Sequence, residues 1–300
     1  MKTYLKRAVV IMFVCILPLL VVQAARQEAG GRADLVFAYP YKVLADVDPK
    51  DATAAMKIYV DELAKQTGYH AESIIYDSIE EIVEKVKKGM VDFVIFPSMD
   101  YLRIKNRVDV SLSLGQVRGG KVSVKYLLLT RANTGYTQLK DLKDKKMLIS
   151  NGDDIAAMYM STLLLKNRLG EAKNFFSSVE EKTKASQVVL SVFFGQADAC
   201  VTTDVTLKTM IELNPQLEKI LKVMSSSQEL VTSVAVFRRS VSADIQKKTI
   251  DIGVKLQDNL RGRQILLLFK IDGLVPLKES DLIGIKDLVS EYDRLRAGKR

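Results

Sequence analysis

Two blocks of alternating strands and helices predict an α/β protein of two lobes, each a mostly parallel sheet flanked by helices. In both blocks short apolar runs alternate with stretches whose apolar residues recur at helical spacing. The alternation breaks in residues 107–131 and again in 231–237, where β-rich stretches lack an intervening helix. These extended stretches indicate that the chain passes from the first lobe to the second and then returns.

The individual elements can be placed in order along the chain. Gly68, Gly89 and Gly170 are positioned to end helices, and Ser78 with Glu81 forms a capping-box pattern. We expect strands over 34–39, 69–76, 91–96, 108–114, 121–130, 146–150, 197–201 and 231–237, and helices through 56–63, 79–86, 155–163, 185–194 and 207–213. After the strand 231–237, helical segments are expected up to the C-terminus. Lobe 1 would comprise residues 33–122 plus 233–300, and lobe 2 residues 123–232.

A short pattern occurs twice, at an offset of 106 residues. The segment 89–93 and the segment 195–199 both have a helix before a glycine, an aspartate three residues later, and an apolar strand. On this offset Ser98 lies opposite Asp204. The repeat favours two lobes of similar architecture.

The first 24 residues have the pattern of a secretory signal peptide. Lys2, Lys6 and Arg7 precede an apolar run over residues 8–22, which is shorter than the roughly 20 residues that a membrane-spanning helix needs. We expect cleavage after Ala24, giving a periplasmic or otherwise exported protein that is soluble afterwards; an uncleaved membrane anchor is the alternative. Cys200 would then be the sole cysteine, and its apolar surroundings predict a buried, unreactive thiol.

The composition excludes several classes of protein. The 300 residues are 48% hydrophobic and 27% charged, which is typical of a globular chain. With His70 as the single histidine, and without a G-x-S-x-G, H-E-x-x-H or P-loop motif, no catalytic residue, metal site or cofactor is expected. The net charge of +9 comes partly from the signal segment, and the basic clusters lack the interleaved aromatic residues of nucleic-acid grooves. We therefore expect no enzyme and no nucleic-acid partner.

Polar residues directly after the strands are the candidates for ligand binding, because ligands of open parallel sheets bind beyond the carboxyl ends of the strands. Hydroxyl, amide and carboxylate groups there suit capture of a small polar solute. The alternative for Ser98, Asp153, Asp154 and Asp204 is that they cap helices. The candidates are Tyr39, Tyr41, Ser98, Tyr101, Asn151, Gly152, Asp153, Thr203 and Asp204.

The chain resembles the periplasmic phosphate/phosphite/phosphonate-binding family that serves ABC transporters. The resemblance extends over about residues 33–295 and is carried by segments 36–41, 89–101, 139–146, 195–202 and 288–292. It implies a type II periplasmic binding protein-like fold with a two-stranded hinge and a ligand closed between the lobes. By position it makes Tyr39 or Tyr41 and Tyr101 contacts of the first lobe, and it adds the pair Asn133 and Thr134 to the ligand-binding candidates.

Two segments depart from the family pattern. Asp144 replaces a usual glycine, and Asn151-Gly152-Asp153-Asp154 replaces a hydroxyl-rich loop that binds the oxyanion. If both groups were desolvated, repulsion between a carboxylate and a phosphonate would cost a free energy on the order of a few kcal/mol. Either these aspartates point away as helix caps, or the ligand carries a cationic group.

The function expected from the sequence is that of an exported, monomeric solute-binding protein of an ABC-type transporter. It would capture a small polar solute, preferably a phosphate- or phosphonate-like oxyanion, between its lobes and pass it to a membrane ABC permease. A ligand-sensing input protein for a membrane receptor with the same fold is one alternative. An exported α/β transferase-type enzyme is the other.

Overall fold

The structure is a computed structural model that describes residues 34–44 and 49–298. The predicted signal peptide and its cleavage position lie outside the described residues. Among the described helices, none combines the length and the apolar character that crossing a membrane requires.

The first sheet has six strands in the order β11-β4-β10-β3-β1-β2. Strands β1, β2 and β3 are parallel, whereas β10 runs antiparallel to both β3 and β4, and β11 runs antiparallel to β4. Its strands are β1 (Leu35–Pro40), β2 (Ala71–Tyr76), β3 (Phe93–Pro97), β4 (Val110–Val117), β10 (Ser233–Arg238) and β11 (Gly273–Pro276).

The second sheet has five strands in the order β7-β6-β8-β5-β9. Here β6, β7 and β8 are parallel, and β5 runs antiparallel to β8 and β9. Its strands are β5 (Val124–Arg131), β6 (Lys146–Ser150), β7 (Ser178–Lys182), β8 (Ala199–Thr203) and β9 (Leu221–Leu230). Each sheet therefore contains three parallel strands and one central antiparallel strand that arrives from the other sheet.

Helices cover these sheets and bury two separate cores. Those that follow strands of the first sheet are α1 (Pro49–Thr67), α2 (Ile79–Lys87), α3 (Ser98–Ile104), α9 (Ala243–Val254), α10 (Leu260–Leu268) and α11 (Ile283–Ala297). Those inserted between strands of the second sheet are α4 (Asp154–Lys166), α5 (Ala172–Phe175), α6 (Ala185–Phe193), α7 (Asp204–Leu213) and α8 (Gln216–Ile220). Short 3-10 helices occur at Tyr41–Leu44, Ala132–Thr134, Leu139–Leu142, Lys255–Asp258 and Glu279–Leu282. Phe37 and Phe237 are buried in one core, and Leu129 and Leu148 in the other.

This architecture confirms the predicted fold class, since two sheets flanked by helices are joined by two extended crossings. The crossings are the segments between β4 and β5 and between β9 and β10. The last helix, α11, packs against α4 as well as against α3. A helix from the end of the chain thus contacts elements of both halves.

The repeated pattern has a structural basis in both sheets. Gly89 and Gly195 adopt positive φ angles of 67° and 73°, which side chains other than glycine adopt at a penalty. The carboxylate of Asp92 accepts a hydrogen bond from the Val36 amide at 3.1 Å, and that of Asp198 accepts one from the Lys146 amide at 2.9 Å. Each aspartate therefore binds its own strand to the parallel neighbour at the corresponding place.

The sequence analysis does not predict three of the strands, and one of them, β11, lies among the helical segments that were expected between residue 237 and the C-terminus. The three are β7, β9 and β11, and all of them lie at sheet edges. β7 and β9 consist largely of polar residues, as in the Ser-Val-Glu-Glu-Lys sequence of β7, and β11 has only four residues. Without a buried face along their full length, they lack the apolar alternation by which a strand is recognised.

Candidate functional site

A cavity of about 800 Å³ lies between the two sheets. Residues at the carboxyl ends of β1, β3, β6, β7 and β8 line it, together with the first residues of β5 and β10. This is where parallel α/β sheets bind ligands, because helix N-termini provide free N–H groups there. On the side of the second sheet the helices α4, α6 and α7 all begin at the cavity.

The start of α4 is occupied by a side chain of the protein itself. A carboxylate oxygen of Asp153 accepts a hydrogen bond from the Ala156 amide at 3.0 Å and another from the Tyr126 hydroxyl at 3.0 Å. Burial raises the pKa of Asp153 above the usual aspartate value of 3.8, and the two hydrogen bonds oppose that shift. Gly152, with a φ of 70°, forms the turn that brings Asp153 into this capping position.

The start of α7 is capped as well. The Thr203 hydroxyl accepts a hydrogen bond from the Thr206 amide at 3.1 Å. Asp204 accepts hydrogen bonds from the Val205 amide at 2.9 Å and from the Lys125 amide at 3.0 Å. The first N–H groups of α4 and α7 thus already have acceptors, and carboxylates add negative charge to both positions.

The start of α6 differs from the other two. The Gln187 side chain accepts from the Lys184 amide at 3.2 Å, but no carboxylate or hydroxyl of the described residues caps the Ala185 and Ser186 amides. The residues facing the cavity are Lys184, Ala185 and Ser186. Lys184 is exposed, and among the described residues its ammonium group forms no ion pair. A free cation beside uncapped helical amides is an arrangement that suits an anion. The sequence analysis missed Lys184, because the edge strand β7 that positions it was not predicted.

A lysine from the first half of the chain reaches the opposite wall. Lys42, in the 3-10 helix after β1, binds the carboxylate of Asp154 at the start of α4, and its ammonium nitrogen lies 3.4 Å from Asp100. Burial works to lower the pKa of Lys42, but the hydrogen bond to Asp154 and the charge of Asp100 outweigh it, so the pKa is raised. Lys42 therefore stays protonated and partly neutralises these carboxylates.

Five of the predicted ligand-binding residues line the cavity. They are Tyr39, Asn151, Gly152, Asp153 and Thr203. Asp153 and Thr203 each cap a helix and also face the cavity. Tyr39 is 5% exposed, and burial, followed by the neighbouring Tyr59, raises its pKa.

Three predicted residues of the first half lie outside the cavity lining. Tyr41 is 46% exposed on the surface. Ser98 is fully buried, and its hydroxyl has no hydrogen-bond partner among residues 34–44 and 49–298. The Tyr101 hydroxyl donates to Glu279 at 2.9 Å, so this side chain links α3 to the segment before α11.

Three predicted residues of the second half also lie elsewhere. Asp204 has the capping role described above. Asn133 and Thr134 follow the end of β5, whereas it is the start of that strand, Val124 and Tyr126, that lines the cavity. Their side chains bind Arg131, with Asn133 accepting from the guanidinium at 3.3 Å and Thr134 donating to the carbonyl oxygen at 2.8 Å.

Within residues 34–44 and 49–298 no group of three or more His, Cys, Asp or Glu side chains is placed to hold a metal ion. His70 precedes β2, and its carbonyl oxygen accepts a hydrogen bond from the Leu35 amide at the start of β1, the end away from the cavity. Cys200 is buried, which raises the pKa of its thiol.

Comparison with known proteins gives a family match over most of the chain. The model of a family described as the phosphonate ABC transporter, periplasmic substrate-binding protein, matches residues 41–282.

Solved structures of low sequence identity share the fold. A Xanthomonas citri protein bound to chloride ion has a TM-score of 0.64 at 14% identity, covering 88% of this chain and 99% of its own. A binding protein component of an ABC phosphonate transporter from Pseudomonas aeruginosa has a TM-score of 0.63 at 15% identity, covering 89% of this chain and 88% of its own. PhnD1 from Prochlorococcus marinus, in complex with methylphosphonate, has a TM-score of 0.61 at 14% identity, covering 86% and 98%.

Proposed function

The chain belongs to the family of periplasmic substrate-binding proteins of phosphonate ABC transporters, and on that premise we propose that it captures an organophosphonate in the cavity between its two sheets. Closure of lobe 1 (residues 33–122 plus 233–300) on lobe 2 (residues 123–232) about the two crossings holds the ligand. A membrane permease then recognises the closed, monomeric protein. The exported form begins after Ala24, and the mass of the secreted chain tests that boundary.

The observation that carries this proposal is Lys184 at the uncapped start of α6. A phosphonate oxygen placed there accepts hydrogen bonds from the amides of Ala185 and Ser186 and from the lysine ammonium group. Charge-assisted hydrogen bonds of this kind are about twice as strong as neutral ones. The positive end of the helix dipole adds to the attraction.

The loop after β6 is a poorer place for the anionic group. Asp153 and Asp154 stand where the family has hydroxyl groups, and Asp153 already accepts the amide hydrogen bond of α4. We therefore assign the phosphonate to the α6 side of the cavity. Asn151, Gly152 and Thr203 contact the remainder of the ligand from the second sheet, and Tyr39 contacts it from the first.

Isothermal titration calorimetry tests the proposal. The purified chain is titrated with methylphosphonate, 2-aminoethylphosphonate, inorganic phosphate and glycine, and thermal unfolding is followed with each compound because a ligand of the native state raises its stability. We expect saturable one-to-one binding of a phosphonate and none of glycine. Binding of glycine with no response to any phosphonate or to phosphate contradicts the proposed function.

A further inference from the structure

The wall of the cavity formed by the first sheet is mainly apolar. Phe93, Ile95 and Leu114 line it from the strands, and Ile265 and Leu266 line it from α10. The opposite wall carries the polar side chains and helix starts described above. The segments around the first sheet also contribute Lys42, Arg118, Lys270 and Asp272 to the lining. The cavity is therefore amphiphilic, with a mainly apolar surface on the first sheet and charged groups on both sides.

Two tyrosine hydroxyls lie in this apolar wall without partners. Tyr39 on β1 and Tyr59 on α1 both line the cavity and are only 5% and 8% exposed. Neither hydroxyl forms a hydrogen bond to any described residue, and neither belongs to the fully buried side-chain atoms that lack a partner, so both hydroxyls are open to the cavity. A polar group of a ligand within the cavity can supply that partner.

The apolar surface continues where the cavity opens to solvent. Leu213 ends α7 and Leu267 lies in α10, and both line the cavity although they are 77% and 76% exposed. One leucine is contributed by each half of the protein. Exposed apolar surface beside a cavity favours a ligand that covers it.

The cavity is large enough for a ligand that is larger than the simplest phosphonates. Its volume of about 800 Å³ is within the range of roughly 300–1,000 Å³ found for pockets that bury drug-sized molecules. Methylphosphonate at the start of α6 would leave the apolar wall in contact with water. A substituent that reaches this wall gains the hydrophobic free energy of that surface.

We propose that the substrate is an organophosphonate whose extended apolar substituent lies against the first sheet and offers a hydrogen-bonding group to Tyr39 and Tyr59. The inference rests on the proposed function for the position of the phosphonate head, and it specifies the class of substrate. An ω-hydroxyalkylphosphonate is the simplest compound of this class.

A chain-length series measures the contribution of the apolar wall. Methyl-, propyl- and hexylphosphonate are titrated into the full chain, alongside the uncharged alcohols 1-propanol and 1-hexanol. Each buried methylene strengthens binding up to about fourfold. We expect hexylphosphonate to bind at least about tenfold more tightly than methylphosphonate. A gain of this size requires only part of the hexyl chain to be buried.

Tyrosine variants test whether Tyr39 and Tyr59 bind the terminal hydroxyl group of the ligand. The affinities of hexylphosphonate and 6-hydroxyhexylphosphonate are compared in the wild type, in the Tyr39→Phe and Tyr59→Phe variants, and in Tyr292→Phe on the C-terminal helix as a control. The terminal hydroxyl is expected to gain roughly threefold to tenfold in affinity in the wild type and in the control. This gain disappears when either cavity tyrosine is replaced, and it persists in Tyr292→Phe.

The outcomes separate this inference from the proposed function. If methylphosphonate binds as tightly as hexylphosphonate, the apolar subsite is wrong and the phosphonate assignment stands. If no phosphonate binds while hexanol binds more tightly than propanol, the anion assignment fails and the apolar subsite stands. An equal gain from the terminal hydroxyl in all four proteins overturns the role of the tyrosines.

Discussion

The ammonium group of Lys42 binds the carboxylate of Asp154 across the cavity, so an ion pair joins residues 112 positions apart in the chain. Lys42 follows the first strand of one sheet, whereas Asp154 begins the helix after a strand of the other. The pair has two consequences. It connects the two walls directly, and it holds the carboxylate of Asp154 at the cavity wall, where a bound anion must tolerate it.

Replacing Asp154 with asparagine should raise the affinity for methylphosphonate. The substitution removes a like charge from the cavity wall and releases Lys42 to interact with the ligand; we expect a gain of about threefold to tenfold. Calorimetry at low and moderate salt measures it. Stability should change little, because ion pairs with partly exposed side chains contribute about 0–1 kcal/mol.

The same variant distinguishes two classes of ligand. A zwitterionic solute such as 2-aminoethylphosphonate presents a cation that Asp154 can bind. If Asp154→Asn weakens its binding while strengthening that of methylphosphonate, the carboxylate recognises the amino group. A loss of affinity for both compounds contradicts the repulsion argued above.

Lys184→Gln should weaken binding of methylphosphonate roughly tenfold to a hundredfold. The variant removes one charge-assisted hydrogen bond, a type of interaction that contributes about 1.5–3 kcal/mol. Lys219→Gln is the matched control, since Lys219 is also an exposed lysine of this half of the chain and is not among the cavity residues. If the Lys184 variant and the wild type bind methylphosphonate with equal affinity, the phosphonate does not bind at the start of α6.

Asp153→Asn should make the protein more stable at neutral pH than the wild type. Burial raises the pKa of Asp153 in the folded state, so ionisation of this group costs the native state stability as the pH rises above the usual aspartate value. Asparagine caps a helix about as well as aspartate and carries no charge. The two proteins should therefore differ little near pH 3, where both side chains are neutral, and diverge towards pH 7.

Urea unfolding at several pH values between 3 and 7 checks this, with Asp204→Asn at the start of α7 as the comparison. A difference between Asp153→Asn and the wild type that is independent of pH would show that the carboxylate is not destabilised by its burial.

Tyr101→Phe should lower the free energy of unfolding by about 1 kcal/mol and leave phosphonate affinity unchanged. The variant keeps the ring and loses the hydrogen bond to Glu279, which is partly exposed to solvent. Chemical denaturation and calorimetry on the same preparation measure the two effects. A weaker phosphonate affinity without a change in stability would indicate that Tyr101 contacts the ligand, as the family resemblance implies.

Much of the fold could be predicted because it depends on local patterns. The strand Lys146–Ser150 has the bounds that the sequence predicts, and Ser78 caps the helix that it was expected to begin, accepting from the Glu81 amide at 3.4 Å. Edge strands such as β7 were missed because their polar residues carry no periodic signal. The position of Lys184 then went unrecognised, since a residue after an unpredicted strand is not a candidate for the ligand site.

The sequence by itself determined the two-lobed α/β architecture, because buried strands and amphipathic helices each impose a period on the chain. It also marked the turn around Gly152 and the capping aspartates. Only the tertiary structure decided which helix start is open to an anion, since a cap exists only where a side-chain oxygen reaches a free amide. The ion pair of Lys42 with Asp154 and the position of the Tyr39 and Tyr59 hydroxyls at the cavity likewise depend on the packing of distant segments, which no local pattern encodes.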